Sequence, residues 1–207
     1  MKRAILLSSC LCVTFGITIA PVLAQHQHEG DVIIGRSSSG QLRFEADLDE
    51  IRPLEAVNGL LKGWAGDEPG FEALMEDEPD EGLYRLAPGA QVWLEGISLD
   101  PALKVHNPLN PLLVIDSPGD QLFLGDHELH DHVIWHVDSL DAGFNPLQTV
   151  WYGTFKLVDK GTTAYADSDP FTLGFTNVPE PGTLGLLFMG SLVALRRRRA
   201  MRKVVRG

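Results

Sequence analysis

Only two of the 207 residues are cysteine, and both, Cys10 and Cys12, stand near the N-terminus. Beyond them the chain has no thiol, so it forms no disulfide and offers no thiolate to a metal or substrate. Basic residues are nearly as scarce between the ends. Nine of the 17 Lys and Arg lie at positions 2, 3 and 196–206, which leaves 8 against 27 acidic residues over Gln25–Val178, a net charge of −19. The whole-chain value of −11 conceals this. So acidic a body repels nucleic acid and anionic lipid and attracts cations or basic partners. Catalytic signatures are missing too: there is no Gly-x-Ser-x-Gly elbow, no His-Glu-x-x-His and no cysteine nucleophile. His127-Glu128-Leu129-His130 is one residue short of the zincin spacing. A carboxylate pair is the one hydrolytic device that composition leaves open, and the chain is expected not to be an enzyme.

Apolar runs occur at the two ends. Lys2 and Arg3 precede the largely apolar Ala4–Ala20, and Val22-Leu23-Ala24 supplies a small residue for cleavage. This is the form of a secretory signal peptide over 1–24, with Gln25 the expected first mature residue. Leu7-Ser8-Ser9-Cys10 stands too close to Arg3 for a lipoprotein signal. At the other end Val178-Pro179-Glu180-Pro181-Gly182 leads into the apolar Thr183–Leu195 and then Arg196, Arg197, Arg198 and Arg199. The prolines forbid helix before Gly182, so a helix over 183–195 starts cleanly. Thirteen residues reach about 20 Å, short of a hydrocarbon core of about 30 Å, and snorkelling arginines extend the span. The basic end is held in the cytoplasm by the positive-inside rule, which leaves Pro179–Pro181 outside.

The order of triplet, apolar helix and arginine cluster over 179–207 resembles the PEP-CTERM sorting signal. That resemblance implies export by way of signal peptidase, a transient inner-membrane anchor, removal of the tail by an exosortase and release to the cell surface or outside. It also brings an association with exopolysaccharide, so a structural, non-catalytic role in the extracellular matrix is one reading. Membrane contact is expected only through the tail.

What remains, 25–178, is the size of one domain. Its pattern is all-β. Strands are expected over Asp31–Arg36, Gln41–Asp47, Gln91–Ser98, Leu112–Ile115, Gln121–Leu124, His130–Asp138, Val150–Val158 and Phe171–Thr176, bounded by Gly-, Pro- and Asp-rich turns. They suggest an antiparallel β-sandwich or jelly-roll-like domain of two packed sheets, with Val133, Trp135, Phe155 and Phe175 in its core. Brief helical periodicity marks Phe71–Met75 and Leu54–Leu61. Eight acidic residues fall between Asp67 and Gly82. They read as a solvated loop, with calcium as the alternative ligand, although no EF-hand pattern is present.

Four of the seven histidines lie between 127 and 136. On a strand, Asp131, Val133, Trp135 and Val137 face one way, and His130, His132, Ile134, His136 and Asp138 the other. Two imidazoles two residues apart lie about 7 Å apart at the backbone, close enough to share a metal ion, and imidazole suits zinc. An N-terminal arm could bring His28 to His130 and His132 as a third ligand, with His136 the further candidate and His127 and Asp138 in reserve. His106, beside Asn107-Pro108, reads as a turn residue. Exposed polar positions on a half-buried strand would give the same alternation.

The body also resembles exported PEP-CTERM proteins expressed under a zinc-uptake repressor. The corresponding stretches are His28-Glu29-Gly30-Asp31-Val32, His130-Asp131-His132, Val150-Trp151-Tyr152-Gly153 and Ser168-Asp169-Pro170-Phe171. This chain departs from them by an extra residue between His28 and Asp31 and by His136. The resemblance implies zinc handling at the cell surface. Zinc is thus the expected ion and calcium the weaker alternative.

Overall fold

Short apolar alternations closed by Gly, Pro and Asp leave little length for helix. The computed structural model describes residues 30–177, and among them it has fourteen strands, no helix and hence no helix able to cross a membrane. The N-terminal segment with His28 and the tail with Pro179–Pro181 and Arg196–Arg199 lie outside the described residues.

The strands form three sheets. The first, in the order β11-β6-β1-β2, combines β11 (His130–Asp131), β6 (Phe71–Ala73), β1 (Val32–Arg36) and β2 (Leu42–Glu45). The second is β10 (Gln121–Asp126), β7 (Gln91–Leu99), β13 (Val150–Asp159), β14 (Phe171–Thr176) and β3 (Ile51–Pro53), in that order. The third is β4 (Glu55–Asn58), β5 (Lys62–Gly66), β12 (Ile134–Asp138), β8 (Leu103–His106) and β9 (Val114–Ile115). The fold is all-β, as the sequence predicts, but it has three sheets where two are expected. Two of its pairings, β1 with β6 and β14 with β3, are parallel.

Three predicted elements are corrected. Phe71–Met75 is not helical: Phe71–Ala73 pairs on one side with β1 and on the other with β11, and all three residues are buried. Leu54–Leu61 instead carries β4 and the turn into β5. Both segments are too short for their spacing to separate helix from buried strand. The continuous strand over His130–Asp138 is broken, because β11 pairs with β6 in the first sheet while β12 pairs with β5 and β8 in the third. The chain changes sheets at His132-Val133.

Trp135 ties the sheets together. Its ring stacks on Phe175 at 4.7 Å, meets Phe155 edge-on at 5.5 Å and lies 6.1 Å from Phe71. Aromatic pairs at such separations add stabilisation beyond area burial. Val133, Trp135, Phe155 and Phe175 are all buried. The indole N–H of Trp135 donates to the Pro69 carbonyl at 3.0 Å. That bond fixes the 67–70 segment against the core, beside Asp31 and His132.

Candidate metal centre

Asp31 immediately precedes β1. One of its oxygens, Oδ1, accepts the Gly70 backbone N–H at 2.8 Å, and the Val32 N–H donates back to the Gly70 carbonyl at 3.0 Å. The carboxylate is thus locked onto the 67–70 segment and is only 6 % exposed. Its other oxygen, Oδ2, is buried and has no hydrogen-bond partner among the described residues.

Sheet register brings the remaining groups to the same face. Ile33, Glu72 and His130 lie in one row across β1, β6 and β11. Side chains in register share a face, and Asp31 and His132 sit two positions from members of that row. Glu72 is 3 % exposed; its Oε1 lies 4.0 Å from His130 Nδ1, and its Oε2 is a second buried oxygen without a hydrogen-bond partner among the described residues. Ligand atoms of Asp31, His130 and His132 all fall within 4.8 Å of one another. Tetrahedral zinc, with bonds of about 2.0–2.2 Å, needs its donors roughly 3.4 Å apart, so a modest contraction brings the three onto one ion.

The His132 tautomer follows from its neighbours. Nδ1 lies 3.1 Å from the Asp67 carbonyl, which can only accept, so Nδ1 carries a proton and, in the neutral ring, Nε2 has the lone pair. A carbonyl behind the distal nitrogen is the usual support of a metal-binding imidazole. The ring rests on Gly70, where a Cβ would come within 2.6 Å of its Cε1. His130 and His132 have ring centroids 5.4 Å apart.

Charge on this face is unbalanced. Burial and the Asp31 carboxylate beside it raise the Glu68 pKa, with His132 opposing. Buried carboxylate oxygens that lack donors cost free energy until a cation or proton reaches them.

The structure thus gathers His130 and His132 with Asp31, and sets Glu72 beside His130. His136 is elsewhere: the change of sheet carries it into the third sheet, where it is buried against His106 at 3.2 Å. Asp138 accepts a 2.8 Å bond from Lys104, and His127 stands between Asp126 and Glu128 at 3.8 and 3.9 Å. His106 is buried at the end of β8 and is not a surface turn residue. Of the acidic run, Asp67, Glu68 and Glu72 wall the site, while Glu76, Asp77, Glu78, Asp80 and Glu81 are exposed. The sequence does not single out Asp31 or Glu72 as ligands: Asp31 enters only as part of the His28–Val32 stretch, and Glu72 only as one of the acidic run between Asp67 and Gly82.

No curated protein and no solved structure matches the chain significantly. One family does, over the tail: the PEP-CTERM protein-sorting motif, at residues 177–199. The motif carries the Pro179-Glu180-Pro181 triplet and the arginines 196–199, and it marks a chain for export and membrane-anchored exosortase processing. This chain is accordingly a PEP-CTERM protein, identified by its sorting motif and bearing a possible metal-binding group in its all-β body.

Proposed function

We propose that this exported protein binds one transition-metal ion, zinc, through His130, His132 and Asp31, with Glu72 as the fourth donor. The observation that carries the reading is that the buried Asp31 carboxylate offers a ligand atom within 4.8 Å of those of His130 and His132, with the buried Glu72 beside His130. The imidazoles bind in their neutral form, and the two carboxylates bring two negative charges, which a divalent ion neutralises. Imidazole nitrogens favour zinc over calcium, a hard ion that takes oxygen ligands. The acidic body concentrates cations of every kind near the surface, and the site discriminates among them. Four protein donors would close the coordination shell, which suits holding the ion over activating water on it.

The test is calorimetry on the chelator-stripped chain with calcium in excess. The wild type should take up one zinc per chain, and His130→Ala with His132→Ala should abolish uptake while the fold persists. Equal zinc affinity in the wild type and the double variant would remove the metal site and favour a purely structural role in the matrix.

A further inference from the structure

His106 and His136 form a second histidine pair, apart from the metal centre and sharing no residue with it. β12 runs between β5 and β8, and His106 reaches His136 diagonally across the β8–β12 pair. Both rings are buried, at 7 % and 2 % exposure. A backbone carbonyl holds each ring at its outer nitrogen: His106 Nδ1 lies 2.9 Å from the Pro111 oxygen, and His136 Nε2 lies 3.0 Å from the Lys62 oxygen. Carbonyl oxygens only accept, so both outer nitrogens carry protons. In a neutral imidazole the other nitrogen is then bare. Those other nitrogens, His106 Nε2 and His136 Nδ1, face each other at 3.2 Å. Two neutral rings would oppose lone pair to lone pair at hydrogen-bond distance.

One additional proton resolves the conflict. We propose that His106 and His136 are a buried proton-binding dyad that holds a single proton between Nε2 and Nδ1 at neutral pH. All four ring nitrogens are then satisfied, and the pair carries one positive charge. The dyad clasps the 107–113 loop, through Pro111, to the start of β5, through Lys62, across β12. Losing the proton sets two lone pairs against each other, and gaining a second sets two N–H groups against each other. The clasp is therefore tightest with one proton bound.

The charged surroundings permit this. Lys62 comes from β5, and its ammonium is bonded to Asn58 at 2.7 Å. Lys104 comes from β8 and is matched by Asp138 and Asp141 at 2.8 and 3.1 Å. Glu55 of β4 shares the row of Ala65, His136 and Lys104. The 107–113 loop and β9 contribute no charged residue. Burial lowers the proton affinity of His136, the Lys62 carbonyl opposes this, and a charge on His106 lowers it further. Burial thus resists any charge on the pair, and a charge already on His106 resists the second proton more than the first.

The pair titrates as a unit. The shared proton satisfies both facing nitrogens, so its contribution to stability is lost when rising pH removes it. A second proton is bound more weakly, so stability also fades as pH falls from about 6.5 through the lower value.

The experiment counts ring protons by nitrogen-15 NMR on the full wild-type chain, histidine-labelled and chelator-stripped, with His106→Gln and His136→Gln used only to assign signals. At pH 7 the two rings should carry three N–H protons between them. A count of two, with both facing nitrogens bare, overturns the proposal, whether or not a metal then proves to sit between them; a count of four overturns it as well. Should neither variant fold, thermal unfolding of the wild type decides. A midpoint that falls on both sides of neutrality supports the dyad, and one that rises steadily from pH 5 to 9 refutes it.

Discussion

At Gly70 a backbone atom serves where a side chain would obstruct. Its N–H holds Asp31, and the missing Cβ gives the His132 ring its seat. Gly70→Ala should turn that ring away from the Asp67 carbonyl, because the ring is the part able to move. Zinc affinity is expected to fall roughly ten- to a hundred-fold, the usual consequence of losing an outer-shell support, with the fold retained. Calorimetry beside a thermal melt checks both halves, and unchanged affinity would show that the ring's seat does not matter. Asp31→Asn separates charge from structure at the same place. The amide oxygen can still accept the Gly70 N–H, but the anion facing the imidazoles and Glu68 is gone. The metal-free variant should be as stable as wild type or more so, while its zinc affinity drops at least tenfold. A stability loss without an affinity loss would make Asp31 a structural residue only. The histidines of this site are legible in the sequence because residues two apart on an extended chain share a face. Asp31 and Glu72 are not, since what places them is the parallel pairing of β1 with β6, a long-range event that no local pattern announces.

At the level of elements, the break at His132-Val133 decides which histidines meet. An unbroken strand would have put His136 on the same face as His130 and His132. The apolar alternation of Val133, Trp135 and Val137 continues through the break, so the sequence shows one strand where the chain uses two sheets. Trp135, just past the break, couples core to site through the Pro69 carbonyl. Trp135→Phe keeps most of the packing and loses that bond, at an expected cost of about 1–3 kcal/mol and with weaker zinc binding. Denaturant melts and calorimetry on the same preparation would show whether the two losses travel together. Further along, β12 is tied to β8 by Lys104 and Asp138. Burial opposes both charges, yet their mutual hydrogen bonds prevail: the Lys104 pKa is raised and that of Asp138 lowered. For a carboxylate of depressed pKa the stabilisation is present above about pH 4 and is lost as pH falls through the folded value. Lys104→Met should therefore cost about 1 kcal/mol at pH 7 and little at pH 2. A loss that does not depend on pH would assign the residue's contribution to packing.

For the molecule as a whole, charge and address are linked. Nine of the 17 basic residues sit in the two terminal segments, one the expected signal peptide and the other the tail that carries the sorting motif. Removing those segments takes the net charge from −11 to −19. An acidic body of this kind is repelled by anionic lipid, so once the tail is cut nothing in its charge holds it at the membrane. The same charge enriches cations near its surface, within about 8–10 Å at physiological ionic strength, and the proposed metal centre would draw on that pool. Intact-mass measurement on protein recovered from the envelope and medium tests the processing directly. The expected species begins at Gln25 and ends near Pro179–Pro181. Material that uniformly retains Arg196–Arg199 would mean that the sorting motif is not acted upon, and the body would then stay tethered by a tail whose charge opposes its own.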